Sequence, residues 1–235
     1  YTYLFGTNSP FSVVPNIRKE PPYDVMADFS PVTFLGETTF FLVVPQSVPA
    51  STMAEFVAHA KANPKKLNYA SGNTYAIVAT ALLAQNAGID MQHIPYKSEP
   101  EAVLDLLSGQ IHLMAATPTT AVPHVKAGKL KVLATTLHER SPLIPEAPSI
   151  LEAGLPRFPV GPWFALAGPA GMSPDVVMIM NKAIADAFAK PTVKEQLVRQ
   201  GLTPKATSPQ ELGVYFKEQL AAWKVALKTA GIQPQ

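Results

Sequence analysis

The chain has 235 residues, of which 47% are hydrophobic and 15% charged, a balance that excludes a disordered polymer and allows one large core or two medium ones. Its net charge of +2 comes from cations placed singly apart from Arg18-Lys19 and Lys65-Lys66, which excludes the electrostatic footprint of a nucleic-acid binder. The absence of cysteine excludes disulfides, thiolate nucleophiles and zinc–thiolate sites, and no apolar run reaches the roughly 18 residues of a membrane span.

The chain opens on the apolar, aromatic run Tyr1-Thr2-Tyr3-Leu4-Phe5, with neither an initiator Met nor a charged leader. The expectation is that the numbering begins inside a longer protein. Runs at Thr2–Phe5, Val32–Leu35, Phe40–Val44, Lys66–Tyr69, His93–Tyr96, Ile111–Met114, Lys131–Thr135 and Phe164–Ala167 predict strands. Amphipathic stretches alternate with them, and the alternation predicts an α/β architecture with a largely parallel sheet.

Helix ends are marked more sharply than strands. Thr52 with Glu55, Ser98 with Glu101, Ser149 with Glu152 and Ser208 with Glu211 each fit the S/T-x-x-E capping box, in which hydroxyl and carboxylate satisfy each other's backbone N–H. Pro174 and Pro209 follow Ser173 and Ser208, at the helical position where a missing N–H costs nothing. Gly88, Gly109, Gly128 and Gly154 suit the left-handed residue that ends a helix. In the last third, Val176, Val177, Met180, Ile184 and Phe188 line one helix and Leu212, Tyr215, Phe216, Leu220, Trp223 and Leu227 another, so both are predicted to pack on a core.

The 24 prolines are spread over junctions and stiffen turns instead of forming a linker. Val43-Val44-Pro45 and the stretch from Gly161-Pro162-Trp163 to Gly168-Pro169 are the expected crossings between two lobes. This division gives residues 46–162 as one continuous lobe, and residues 1–45 with 163–235 as a discontinuous second.

Enzyme signatures are lacking. The chain contains no G-x-S-x-G elbow, P-loop, G-x-G-x-x-G or H-E-x-x-H, each of which carries a specific chemistry. His59, His93, His112, His124 and His138 show no i,i+4 pair for a metal and read as surface or capping residues. Glu55, Glu101, Asp175 and Glu211 fall in helix first turns, where the helix dipole accounts for them. No catalytic residue, metal or cofactor is expected.

Three strand-to-helix turns are rich in small hydroxyl and amide residues. Asn68-Tyr69-Ala70-Ser71-Gly72-Asn73-Thr74-Tyr75 leads into a helix through Ala76–Ala87, Tyr96-Lys97-Ser98-Glu99-Pro100 into one over Glu101–Ser108, and Ala116-Thr117-Pro118-Thr119-Thr120 into one ending near Ala127. Open α/β sheets bind ligands at the carboxyl ends of their strands, and helix N-termini bind anions through free N–H groups. Three such ends converging predict a carboxylate site. Taken singly, Ser71, Ser98 and Thr117 are helix caps.

At these turns the sequence resembles a known family. Leu67-Asn68-Tyr69-Ala70-Ser71-Gly72-Asn73, Ala87-Gly88-Ile89-Asp90, His93-Ile94-Pro95-Tyr96-Lys97-Ser98, Asp105-Leu106-Leu107-Ser108-Gly109-Gln110 and Pro123-His124-Val125-Lys126-Ala127-Gly128-Lys129-Leu130 follow one another as in the Bug family. These are the periplasmic substrate-binding proteins of tripartite tricarboxylate transporters. The likeness runs on through Arg140-Ser141-Pro142, the stretch from Pro148 to Pro156 and the stretch from Pro169 to Pro174.

The resemblance implies a type II periplasmic-binding-protein fold, two α/β lobes closing on a di- or tricarboxylate or an aromatic acid, and delivery to membrane permease subunits. The alternative is a stand-alone sensor or interaction module on the same fold. The matching site positions are Tyr96, Lys97, Ser98 and Glu99, the turn of Ser71, Asn73, Thr74 and Tyr75, Asn8 and Ser9 in the Gly6-Thr7-Asn8-Ser9 turn, and Thr117.

Two departures are visible. Many members carry Gly where this chain has Ser98 and an acidic residue near Ala116, and the loss of the latter argues against an amino-acid ligand. The family's Pro-Phe-x-x-Gly-Gly loop, which precedes the strand matched by residues 1–6, has no counterpart here. Lobe one is therefore expected to be incomplete, with unpaired edges that favour a homo-oligomer.

Overall fold

The computed structural model describes residues 2–234. Its contacts divide the chain into two compact units, one continuous over Thr39–Phe158 and one formed by the chain up to Thr38 together with the chain from Pro159.

The discontinuous unit begins with β1 (Leu4–Thr7), a single π-helical turn at Ser9–Val13 that runs into α1 (Val14–Ile17), α2 (Val25–Asp28) and β2 (Phe29–Thr38). Strand β2 starts earlier than its apolar run suggests because Pro31, which cannot donate to a ladder, falls at a register shift between Pro31 and Thr33, where the missing N–H is tolerated.

The continuous unit follows with β3 (Phe41–Pro45), α3 (Met53–Ala62), β4 (Asn68–Ser71), α4 (Thr74–Ala87), β5 (Gln92–Pro95), α5 (Glu99–Ser108), β6 (Leu113–Ala116), α6 (Pro118–Lys126) and β7 (Leu130–Thr135). The chain then returns to the first unit with β8 (Trp163–Pro169), α7 (Pro174–Phe188), α8 (Pro191–Arg199), β9 (Leu202–Pro204) and α9 (Pro209–Thr229). All eight expected strands form, displaced by up to a few residues; β9, three residues long, has no apolar run to announce it.

The sheets are not largely parallel, as the alternation suggested. The sheet of the discontinuous unit, in order β1-β8-β2-β9, is antiparallel at every pairing. That of the continuous unit, in order β5-β4-β6-β3-β7, is parallel only across β5-β4-β6, while β3 runs antiparallel to both β6 and β7. Alternation predicts helical crossovers, and those are present at β4, β5 and β6; it does not reveal that β3 enters its sheet in the opposite sense. Strand β3 also belongs to this sheet and not with the chain ends where the sequence reading put it, and the division falls before it.

Each unit has its own core. In the discontinuous unit Phe11 stacks between Phe216 at 4.6 Å and Trp163 at 5.9 Å between ring centroids, and all three rings are buried. Trp163 keeps its indole N–H satisfied by donating to Gln219 Oε1 at 3.1 Å, as a buried Trp requires. Helix α9 contributes Leu212, Phe216, Trp223 and Leu227 as its apolar stripe predicts, whereas α7 buries only Val177 and leaves Met178 and Ile179 exposed. In the continuous unit β3, β4 and β6 supply Phe41, Val43, Ala70 and Met114, over which α5 lays Ala102, Val103 and Leu106.

The capping signals translate unevenly. Thr52 with Glu55 and Ser208 with Glu211 form full capping boxes at α3 and α9. Ser149 and Glu152 make the same reciprocal bonds, 2.8 and 3.2 Å, but no helix follows. Ser98 begins α5 without a side-chain cap bond, so the box expected with Glu101 does not form. Gly88 and Gly109 take the left-handed conformation that ends α4 and α5.

Candidate functional site

Strands β5, β4 and β6 are mutually parallel, so the turns that leave them for α5, α4 and α6 lie at the same end of the sheet. Two contacts knit these turns together. A Cβ on Gly72, in the turn after β4, would stand 2.4 Å from the backbone nitrogen of Glu99 in the turn after β5; the two backbones touch where only glycine fits. Glu99 in turn reaches the turn after β6, where its Oε1 accepts from the backbone N–H of Thr117 at 2.5 Å and from the Thr117 hydroxyl at 3.0 Å. The Thr119 and Thr120 hydroxyls stand 3.1 and 3.3 Å from Thr117 Oγ1.

Three converging turns were expected, and three converge. Their free helix ends are fewer than expected. The start of α6 is already served by Glu99, an anion belonging to the chain, and Pro118 has no N–H to offer. Asn73 caps α4 by accepting from the Ala76 N–H at 2.9 Å. Neither Ser98 at the start of α5 nor Thr117 at the start of α6 makes a side-chain cap bond.

The remaining expected residues divide by what holds them. Ser71 is buried, and its hydroxyl is hydrogen-bonded to His93 Nε2 at 2.6 Å. Tyr75 is buried with its ring edge-on to Phe40 at 4.9 Å. Thr74 is half-buried at the first position of α4. Tyr96 donates its phenol to Asp105 Oδ2 at 2.6 Å, across one helix, while Lys97 is exposed. Asn8, which is buried, and Ser9, whose N–H donates to Thr7 Oγ1 at 3.2 Å, belong to the other unit. Within the continuous unit the structure brings together Asn73, Ser98 and Thr117 around Gly72 and Glu99.

The titrating groups follow from these contacts. Burial raises the Glu99 carboxyl above its ordinary value, against the hydrogen bonds from Thr117 and from the Thr120 hydroxyl that lower it. Burial first, and then the hydrogen bond to and charge of Asp105, push the Tyr96 phenol up to about 12. Burial lowers the His93 imidazole, which keeps it neutral, stacked on Tyr69 at 4.8 Å. His93 is thus neither a surface residue nor a cap. His112 is bound at the edge of β4, its Nδ1 accepting from the Asn68 N–H at 3.0 Å.

Sequence reasoning named Glu99 as a position of the site without seeing what it does. The signal was present as an acidic residue between a cap serine and a proline, with no cation three or four residues on. The Tyr96–Asp105 pair left no such trace, since nine residues separate its members. Although Ala116 has no carboxyl group, the Glu99 carboxyl arrives at the next residue. Among the described residues no group of three or more His, Cys, Asp or Glu could hold a metal ion, and no helix is long and apolar enough to cross a membrane.

The chain is 34% identical over 206 residues to a protein encoded in the tcbD-tcbE intergenic region of Pseudomonas sp. (strain P51), covering 86% of this chain and 61% of that protein's length. A solved structure described as R. palustris Rpa4515 with adipate matches all of this chain and 79% of its own, at 27% identity and a TM-score of 0.89. A second, MatC (Rpa3494) from Rhodopseudomonas palustris with bound malate, matches 96% of this chain and 79% of its own, at 26% identity and a TM-score of 0.80. The family profile described as tripartite tricarboxylate transporter family receptor matches residues 1–232, and the chain belongs to that family.

Proposed function

We propose that the protein is a solute-binding receptor that captures a small carboxylate outside the cytoplasm and presents it to the permease subunits of a tripartite tricarboxylate transporter. Its family is one of transporter receptors, not of enzymes. The observation that carries the reading is the convergence of three strand-to-helix turns at one end of the β5-β4-β6 layer, held by Gly72 against Glu99 and by Glu99 on Thr117. Such a layer presents hydroxyls and backbone N–H groups, with Lys97 exposed beside them, which suits a carboxylate that must be released as well as bound. The structural relatives with adipate and malate support a dicarboxylate, and Ser71, Asn73, Thr74, Tyr75, Tyr96, Lys97, Ser98 and Thr117 are the proposed lining on this unit.

A thermal-shift screen of succinate, malate, glutarate, adipate, citrate and benzoate tests it. A ligand at a hundredfold excess over its Kd stabilises the folded state by about 2.7 kcal/mol, a rise of several degrees in melting temperature. Recovery of the ligand unchanged after incubation is the expected companion result. No shift with any of these carboxylates at millimolar concentration overturns the proposal.

A further inference from the structure

We propose that the end of the continuous unit opposite the three turns is a docking surface for an acidic face of the permease subunits, with Lys61, Lys65, Lys66, Lys126 and Lys129 as its charged contacts. The inference rests on the receptor role proposed above and names where that receptor meets its partner.

The topology gathers the five lysines. Strands β4, β5 and β6 start at this end, and because β3 is antiparallel to both β6 and β7, β3 ends here and β7 starts here. The loop from α3 into β4 carries Lys65 and Lys66. The Lys65 N–H donates to the Asp90 carbonyl at 2.9 Å and its own carbonyl accepts from Gln92 Nε2 at 2.9 Å, which fixes that loop beside the start of β5. Lys61, in the last turn of α3, brings its Cε to 4.0 Å from where a Cβ on Gly88, at the end of α4, would stand. Lys126 and Lys129 flank Gly128, whose carbonyl accepts at 2.9 Å from Gln46 Nε2, one residue beyond the end of β3. All five are exposed, and none forms an ion pair with a described residue. They reach from β5 to β7 across the five-stranded sheet, roughly 20 Å at ordinary strand spacing, which is the scale of a protein–protein patch.

The unit's carboxylates do not offset this charge. Glu99 and Glu101 lie at the turn end, Asp105 is held by Tyr96, and Glu139, Glu146 and Glu152 lie in the stretch beyond the far end of β7. Glu55 accepts from the N–H groups of Ser51 and Thr52 at the start of α3, which leaves Asp90 alone among the lysines. The helix dipole accounts for Lys61 and Lys126, in the last turns of α3 and α6, but not for Lys65, Lys66 and Lys129, which lie outside helices. Lys65 is also the one non-glycine residue with a positive φ, 61°, among the described residues. A place where glycine fits without strain carries an exposed cation instead.

An acidic protein face fits this array better than a lipid surface does. The exposed large apolar side chains of the unit are Leu104, in the middle of α5, and Leu151, in the stretch after β7, so none stands among the lysines to insert between acyl chains. Backbone hydrogen bonds hold Lys65 and the Gly128 turn at a set spacing, which suits carboxylates that are equally fixed. Charges so arranged steer encounter and raise the association rate, while the ligand turns at the other end stay free.

The test measures association of the protein with three surfaces: phosphatidylcholine liposomes carrying the cognate permease subunits, plain phosphatidylcholine liposomes, and liposomes containing phosphatidylglycerol. Each is tried with and without the tightest acid of the screen above. The wild type should associate with the permease liposomes alone, and about tenfold more slowly when salt is raised from about 0.05 M to about 0.5 M. The combined variant Lys61→Gln, Lys65→Gln, Lys66→Gln should associate about tenfold more slowly at low salt while keeping the thermal-shift response to carboxylates and a melting temperature within about two degrees of wild type. Lys217→Gln, Lys224→Gln, Lys228→Gln, the same change of charge on α9 of the other unit, should associate within about twofold of the wild-type rate. A wild-type rate in the first triple variant overturns the docking surface and leaves the receptor reading standing. Equal association with phosphatidylglycerol liposomes assigns the face to lipid headgroups and overturns it likewise. Failure of the wild type to associate with the permease liposomes overturns both the surface and delivery to the permease, and carboxylate binding is judged apart from these by the thermal shift.

Discussion

Gly72 and Glu99 meet backbone to backbone: a Cβ on Gly72 would lie 2.4 Å from the Glu99 nitrogen, 2.6 Å from its Cα and 2.7 Å from the carbonyl carbon of Ser98. None of these atoms can rotate aside, so the turn after β4 and the turn after β5 hold their spacing only while residue 72 has no side chain. Gly72→Ala should therefore cost about 1–3 kcal/mol in urea denaturation, the range for overpacking a close contact, and weaken carboxylate binding. Ser98→Gly in the same background should not restore either, because the Ser98 side chain is not what the new methyl meets. Rescue by Ser98→Gly would show that the contact is between side chains after all.

The same pair shows what a sequence can and cannot disclose. The eight strands and the three hydroxyl-rich turns were legible because apolar runs, caps and glycines are local signals, fixed within a few residues of chain. Strand direction was not, since nothing in Phe41–Pro45 records that it pairs antiparallel with Leu113–Ala116 and Leu130–Thr135. The Glu99–Thr117 and Ser71–His93 bonds join residues 18 and 22 apart, and the partner of each is chosen by the sheet, not by spacing. Ser98 shows the converse: its S-x-x-E motif is present, yet the cap bond is not, because the turn is set by its packing on Gly72.

The three capping motifs that precede helices separate on that account. At α3 and α9 the hydroxyls of Thr52 and Ser208 accept from the N–H groups of Glu55 and Glu211 at 3.2 Å. Thr52→Ala and Ser208→Ala should each lower stability by about 1 kcal/mol in chemical denaturation. Ser98→Ala should change it by less than about 0.5 kcal/mol, since its hydroxyl makes no cap bond. A cost for Ser98→Ala equal to that for Thr52→Ala would mean that the Ser98 hydroxyl caps α5 in solution.

His93 couples stability of the continuous unit to pH. Burial sets its imidazole below the ordinary value of 6.5, and His112 is lowered in the same way, mainly by burial. The unfolded chain therefore takes up protons at these residues before the folded chain does. Where the unfolded state binds more protons, stability rises with pH. The contribution is fully present above 6.5 and is lost as pH falls through the folded values. Between about pH 7.5 and about pH 5.5 the melting temperature should drop. His93→Gln, which can still hydrogen-bond the Ser71 hydroxyl but cannot titrate, should drop less over the same interval. Ser71→Ala should lower the melting temperature at both ends, because it leaves a half-buried ring nitrogen without its 2.6 Å partner. Parallel pH curves for wild type and His93→Gln would assign the whole slope to groups other than His93.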